Sequence, residues 1–193
     1  LGGRCGGVAA VLVLALTPGQ FLPRSVAGFY DHHVAEVFLV LLVLAVGMNL
    51  LDGAHREGAI YEFVQTREFS LLREPVKWGV ALGVLLALSV LNWPPAVFLF
   101  GVFGAFLFVI LSLEFVRGHS PDHIAIPSVV AMVTAAVLTA PFIMDFGLNA
   151  TDYSLAQPLL ALAVAAGTIF MAAVARLWER RGLQRSAYPL GIV

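Results

Sequence analysis

The stretch that decides the fold is PAVFLFGVFGAFLFVILSLEFV–RGHSPDHIAI–PSVVAMVTAAVLTAPFIM, residues 95–144. Its first arm, residues 95–116, has 22 residues and no charge before Glu114. At about 1.5 Å per residue this arm reaches roughly 33 Å, enough to cross a hydrocarbon core of about 30 Å. The second arm, residues 127–144, has 18 residues and no ionisable side chain. The stretch therefore predicts two membrane-spanning helices joined by a polar turn.

The composition of the whole chain agrees with this prediction. The 193 residues are 60% hydrophobic and 12% charged, whereas soluble domains carry about 25% charged residues. A net charge of -1 gives no reason to expect nucleic acid as a partner. The single cysteine, Cys5, excludes an internal disulfide. The composition indicates a membrane protein whose surroundings are the lipid bilayer.

Working outward from residues 95–144, the apolar runs predict an all-α fold. We expect a polytopic integral membrane protein, a single domain over residues 1–193, built as a six-helix transmembrane bundle of three hairpins. The predicted spans are residues 5–21, 32–51, 75–91, 95–116, 127–144 and 158–178. The first has a rival interpretation as a signal-peptide segment, because it is short and Arg4 precedes it. A short helix near residues 55–70 is predicted to lie on the cytoplasmic membrane surface, with an ordinary connecting helix as the alternative.

Two glycine pairs mark faces where helices can pack closely. Gly79 and Gly83 are four residues apart in the third span, and Gly101 and Gly104 lie in the fourth. Small residues at such spacing let two helix backbones approach each other in lipid. These faces predict close packing, including self-association or contact with other membrane subunits.

Three prolines predict where helices begin or end. Pro75 suits the first turn of the third span, since a missing N–H costs nothing there. Ser120 is expected to cap a helix start, and Pro127 is expected to bend the chain or begin the fifth span. Pro141 is expected to kink or end that span.

The distribution of basic residues predicts the orientation. With six alternating spans, ten of the eleven lysines and arginines fall on one side, and only Arg24 falls on the other. Cytoplasmic loops carry the excess of Lys and Arg. We therefore expect a protein of the plasma (inner) membrane with both termini in the cytoplasm.

The polar turn after the fourth span holds the densest group of potential ligands. Glu114, His119, Asp122 and His123 lie within ten residues, and histidine with carboxylate suits a divalent metal such as zinc or iron. Three residues of the surface segment are further candidates for this group: His55, Glu57 and Glu62. A solvated helix start is the plainer interpretation of the same residues, and a pH-sensing histidine pair is a further one.

A second candidate cluster begins the second span on the opposite side. Asp31, His32, His33 and Glu36 offer metal ligands, and His33 and Glu36 are close enough on a helix to meet. The plainer interpretation is a set of interfacial side chains that reach water. Glu36 stands out because an acid inside a span is costly and suggests function.

The sequence gives no catalytic or cofactor-binding motif. The middle thirds of the predicted spans lack Asp, Glu, Lys, Arg and His, which argues against a proton pump or an ion-coupled transporter. We therefore predict a non-catalytic accessory or scaffold subunit of a larger membrane complex. The alternatives are a metal-dependent membrane enzyme at the cytoplasmic interface and a carrier or channel for a small neutral solute. Asn149-Ala150-Thr151 matches the glycosylation acceptor pattern, which often arises by chance.

Overall fold

The structure is a computed structural model that describes residues 3–16, 32–54, 66 and 68–192. Within these ranges the chain is helical, with an isolated β-bridge between Asp145 and Ser154. In chain order the helices are α1 (Gly3–Leu16), α2 (His32–Ala54), α3 (Arg73–Asn92), α4 (Phe98–Arg117), α5 (Asp122–Thr139), α6 (Ala156–Arg180) and α7 (Tyr188–Ile192). Short 3-10 turns cover Phe69–Leu72, Pro94–Val97, Ala140–Phe142 and Arg185–Ala187. The predicted all-α fold class is confirmed.

Five helical segments of the described chain are long and apolar enough to cross a membrane. They are His33–Leu51, Phe69–Asn92, Pro94–Arg117, Asp122–Phe142 and Ala156–Arg180. They correspond to the second through sixth predicted spans. Their burial differs widely, because 50% of the α5 window is buried inside the bundle and only 11% of the α2 window.

The first predicted span and the surface helix stay predictions. α1 has 14 residues, about 21 Å of helix, which is shorter than a hydrocarbon core of about 30 Å. The predicted span at residues 5–21 continues beyond α1 into residues outside the described ranges. Residues 55–65 and 67 of the predicted surface helix also lie outside them.

The proline positions explain where the helix bounds differ from expectation. α5 begins at Asp122 rather than at Pro127 and runs through this proline. Pro127 has no N–H and cannot donate to the carbonyl of His123. The helical turn before this proline, residues 122–126, is nevertheless stabilised because His123, Ile124 and Ala125 are buried against the bundle. Pro141 lies in the 3-10 turn that ends α5, as expected.

Gly79 and Gly83 allow α3 to lie directly against the backbone of α5. A Cβ atom built on Gly79 would be 2.5 Å from the carbonyl oxygen of Pro127. One built on Gly83 would overlap the carbonyl oxygen of Ala131 and lie 2.7 Å from the Cβ of Thr134. The close approach predicted for this pair is confirmed, and α3 with α5 forms the most extensive helix contact in the described chain.

The second glycine pair behaves differently at its two positions. A Cβ on Gly104 would meet Val164 of α6 at 3.0 Å, so this glycine does bring α4 close to α6. A Cβ on Gly101 would have nothing within 4 Å among the described atoms. Gly101 therefore serves as an internal control for Gly83.

The bundle has two polar rims at opposite ends of the spans. At one end, the Tyr153 hydroxyl donates to the carbonyl of Leu91 at 2.7 Å, which joins the α5–α6 loop to the end of α3. At the other end, Arg176 of α6 pairs with Asp122 of α5 at 3.0 Å. The first we call the His33 rim, formed by the start of α2, the end of α3 and residues 140–155. The second we call the arginine rim, formed by the start of α3, residues 117–122 and the end of α6.

We expect Gly83→Ala to destabilise the bundle and Gly101→Ala not to. The added methyl at position 83 forces α3 and α5 apart, and overpacking of this kind costs about 1–3 kcal/mol. At position 101 the same change meets open space and improves helix propensity by up to about 1 kcal/mol. Thermal unfolding of both purified variants in detergent measures the difference. Equal melting temperatures would show that α3 and α5 do not touch as described.

Candidate functional site at the His33 rim

His33 and Glu36 form a polar pair in the first turns of α2. Nδ1 of His33 lies 3.1 Å from Oε2 of Glu36. Their side chains are 44% and 29% exposed, so both reach the rim, and the cost of placing Glu36 within the span is reduced. The structure thus brings together two members of the second predicted cluster. Asp31 and the side chain of His32 lie outside the described part of the chain.

The loop between α5 and α6 forms a folded platform on the same rim. Gln157 fastens its end, because its amide donates to the carbonyl of Asp152 at 2.7 Å and its oxygen accepts from the Ser154 N–H at 2.8 Å. Ser154 is buried, and its hydroxyl donates to the carbonyl of Asn149. With the Tyr153 contact to α3, these hydrogen bonds fix the loop to the bundle.

The four residues of the first predicted cluster divide into separate contacts on the arginine rim. Gly118 ends α4 with φ 97, and the turn places His119 Nδ1 2.9 Å from Oε2 of Glu114. His123 Nδ1 lies 2.5 Å from the carbonyl oxygen of Ser120, and Asp122 pairs with Arg176. Across the described residues, no group of three His, Cys, Asp or Glu side chains is arranged to hold a metal ion. Asp122 thus joins α5 to α6 through Arg176. By contrast, these contacts of Glu114, His119 and His123 are local to the end of α4 and the following turn.

An aromatic cluster below the same rim was not predicted from the sequence. Tyr188 of α7 is fully buried, packs against Phe115 with ring centroids 4.4 Å apart and ring planes inclined by 46°, and meets Trp178 edge-on at 6.0 Å. Its hydroxyl donates to the carbonyl of Met171 at 2.7 Å, and burial raises the pKa of Tyr188 to about 12. The signal available in the sequence was the short, largely apolar run after Arg185.

The serines and threonines within the spans follow two patterns. Ser89, Thr139 and Thr168 donate to the carbonyl four residues earlier in their own helices. The buried hydroxyls of Ser112 and Ser128 have no hydrogen-bond partner among the described residues. Ser128 lines an otherwise apolar groove of about 240 Å³ between α2 and α4.

Comparison with known proteins identifies the class of protein to which this helical bundle belongs. A family model described as oligosaccharyl transferase STT3, N-terminal, matches residues 1–178. The chain is therefore a member of the STT3 oligosaccharyl transferase family. It is 40% identical over 189 residues to the dolichyl-monophosphooligosaccharide–protein glycotransferase AglB of Haloferax volcanii. That match covers 98% of this chain and 18% of the relative.

Solved structures give the same result. The oligosaccharyltransferase AglB of Archaeoglobus fulgidus, in complex with an inhibitory peptide and a dolichol-phosphate, superposes with a TM-score of 0.79 at 25% identity, covering 96% of this chain and 21% of that one. An Archaeoglobus fulgidus oligosaccharyltransferase tethered with an acceptor peptide containing the NVT sequon gives 0.76 at 26% identity, covering 96% and 22%. This chain thus spans about a fifth of the length of the relatives it matches.

These findings correct the function predicted from the sequence. The prediction of a non-catalytic accessory or scaffold subunit is wrong, because the matched family consists of oligosaccharyl transferases. The metal-dependent enzyme at the cytoplasmic interface and the carrier or channel are likewise unsupported. Location in the membrane is confirmed by the family and by the five membrane-length helices.

We expect Tyr188→Phe to lower the stability of the bundle by about 1 kcal/mol, because it removes the hydrogen bond to Met171. Tyr188→Ala should cost about 3–5 kcal/mol, since it also empties the aromatic cluster. Burial raises the pKa of Tyr188 from 10.0, the value for an exposed tyrosine, to about 12 in the folded protein. The advantage of the wild type over Tyr188→Phe should therefore be complete below about pH 10 and disappear as pH rises toward about 12.

Thermal unfolding in detergent, repeated across alkaline pH, measures both effects. Ser186→Ala is the control, because this nearby side chain is exposed. A melting temperature that is unchanged in Tyr188→Ala would show that α7 is not docked on α4 and α6.

Proposed function

We propose that this chain is a membrane-embedded part of an oligosaccharyl transferase. The full-length protein would transfer an oligosaccharide from a lipid phosphate to the side-chain amide of an asparagine in a protein acceptor. The observation that carries the proposal is the 40% identity to the Haloferax volcanii glycotransferase over 98% of this chain. The similar solved structures support the proposal further, since one contains a dolichol-phosphate and another an acceptor peptide with the NVT sequon. Because the chain spans about a fifth of these relatives, the remainder of the machinery would come from other parts of the protein.

The His33 rim is the part of this chain that we assign to the reaction. Transfer breaks the bond between the anomeric carbon and a phosphate oxygen, and negative charge develops on the departing lipid phosphate. Cationic groups or a divalent metal held near that oxygen stabilise this charge. Histidine and carboxylate side chains at the membrane surface are suited to this reaction as ligands of such a metal.

The donors on this rim are of the types that bind a divalent metal. His33 and Glu36 offer an imidazole and a carboxylate side by side, both partly open to water. Two donors are too few to hold a metal alone. Asp31 and His32 are the neighbouring donors of the same cluster, and further ligands would come from the rest of the full-length protein. The bound metal would supply charge neutralisation for the phosphate.

We also propose that the His33 rim faces the outside of the cell and the arginine rim the cytoplasm. Arg73, Lys77, Arg117 and Arg176 support this orientation, because basic residues accumulate on the cytoplasmic side of membrane proteins. The substrate protein would then meet the enzyme after translocation. Both termini of the chain would be cytoplasmic if α1 belongs to a sixth span.

We expect His33→Ala and Glu36→Gln each to reduce oligosaccharide transfer by about 10-fold to 100-fold, the loss typical of disturbed metal sites. Full-length protein in membranes, supplied with lipid-linked oligosaccharide and a fluorescent sequon peptide, gives the rate as a gel shift. The matched control is Glu74→Gln, which removes a carboxylate from an i,i+3 pair with Lys77 on the arginine rim.

Two outcomes of this assay would count against the proposal. Wild-type protein that leaves the peptide unmodified would exclude the transferase activity. Equal losses in Glu36→Gln and Glu74→Gln would exclude a specific role for the His33 rim. Chelation followed by addition of Mn²⁺ or Mg²⁺ tests the metal, whose removal should abolish transfer reversibly.

The orientation can be tested with single cysteines placed in full-length protein from which Cys5 and any other native cysteines have been removed. Leu148→Cys on the His33 rim should react with a membrane-impermeant maleimide in intact cells, since Leu148 is 78% exposed. Ser186→Cys beyond the arginine rim should react only after permeabilisation. The reverse pattern would invert the proposed orientation, and labelling of both from one side would contradict the bundle itself.

A further inference from the structure

The α5–α6 loop carries an acceptor sequence of the kind that oligosaccharyl transferases modify. Asn149-Ala150-Thr151 has the form Asn-x-Thr with no proline at the middle position. It lies on the His33 rim, at the end of the bundle where we place the transfer reaction. The loop therefore combines an acceptor sequence with a position at the end of the bundle where we place the reaction.

The sequon is held in a defined geometry. The Thr151 hydroxyl donates to Oδ1 of Asn149 at 2.7 Å, and the Thr151 backbone N–H donates to the same oxygen at 2.9 Å. These contacts fix the orientation of the Asn149 amide. Thr151 itself is exposed, and Asn149 is partly exposed. The amide is therefore oriented by the sequon's own threonine.

The amide nitrogen retains a hydrogen available for substitution. Nδ2 of Asn149 donates to Oδ2 of the exposed Asp152 at 2.5 Å. A primary amide carries two N–H groups, and the contact with Asp152 uses one of them. Replacement of the other by a sugar leaves the Asp152 hydrogen bond in place, so the folded loop can accommodate a modified Asn149.

The modification would cover an exposed apolar surface. Met144, Phe146 and Leu148 precede the sequon in the same loop and are 81%, 80% and 78% exposed. Such side chains at a rim need either lipid or another cover, because exposed apolar clusters favour association. A hydrophilic glycan attached beside them would shield the part that faces water.

We propose that Asn149 is itself an acceptor of N-linked oligosaccharide in this protein. The inference rests on the proposed function for the transfer reaction and its donor, a lipid-phosphate-linked oligosaccharide. In the transfer, a bond forms between Nδ2 and the anomeric carbon, and the bond from that carbon to the phosphate oxygen breaks. The lipid phosphate leaves with the bonding electron pair, and one amide proton passes to a base or to water.

The test uses full-length protein expressed in a host that makes lipid-linked oligosaccharide but lacks its own transferase. Mass spectrometry of the peptide containing Asn149 gives the fraction modified. We expect a glycan mass on this peptide in the wild type and in Thr151→Ser, which keeps the hydroxyl. We expect none in Thr151→Val, which removes only the hydroxyl at nearly constant volume, and none in Asn149→Gln.

A sequon reporter peptide added to the same membranes separates this inference from the proposed function. Asn149→Gln should modify the reporter at the wild-type rate, which shows that the variant is folded. An unmodified Asn149 in membranes that modify the reporter overturns the inference and leaves the proposed function standing. Membranes that modify neither overturn both. A glycan on Asn149 that persists in Thr151→Val would show that the sequon is not what directs the modification.

Discussion

Helices α3 and α5 meet at Gly79 and Gly83 with main chain against main chain, and the arrangement of the described spans is built around that contact. Lipid tails are as apolar as leucine, so burial of apolar surface contributes little to holding one span against another. Close van der Waals packing must do so instead, and it weakens steeply when a gap of even 1 Å opens. With α5 fixed on α3, α6 packs in turn on α5, and alanines of both helices belong to the same buried core.

Both polar rims depend on this central packing. On the His33 rim, the hydroxyl of Tyr153 reaches the last turn of α3 because α5, which leads into this loop, lies beside that helix. On the arginine rim, Asp122 and Arg176 join the other ends of α5 and α6. The same two helices thus carry a folded loop at one end and an ion pair at the other. The role proposed for the His33 rim needs such support, because groups on loops are placed less precisely than groups held by packed helices.

Much of the fold could be predicted from the sequence because the length and apolar character of a span are local properties. Residues 95–144 contain two helices and a turn, and the spacing of Gly79 and Gly83 indicated close packing. A helix start at Ser120 and a bend or new start at Pro127 were both expected from the sequence. The continuous course of α5 through Pro127 depends on the burial of His123, which is a tertiary contact that local sequence does not show. Docking of Tyr188 on Phe115 likewise depends on a contact between distant parts of the chain.

The contact between His33 and Glu36 could be predicted from the sequence, and the function was not. The His33–Glu36 pair follows from three-residue spacing on a helix, but Glu114, His119, Asp122 and His123 are near in sequence without sharing one site. Their directions depend on the left-handed turn at Gly118 and on Arg176, which is 54 residues away from Asp122. The absence of charge at the middle of the spans was taken as evidence against catalysis. That argument applies to pumps and transporters, whereas an enzyme that acts at the membrane surface needs its polar groups only at a rim.

The sparse burial of α2 has a consequence for how lipids act on this protein. With only 11% of its span window buried, α2 is the described membrane-length helix whose tilt the other described helices restrain least. A helix in this situation adjusts its tilt to the thickness of the hydrocarbon layer, at a cost of a fraction of a kcal/mol per Å of mismatch. His33 and Glu36 sit at its tip, where a change in tilt moves side chains farthest. Bilayer thickness, set by chain length and lipid type, thus becomes a variable that shifts these two side chains relative to the well-packed α5–α6 hairpin.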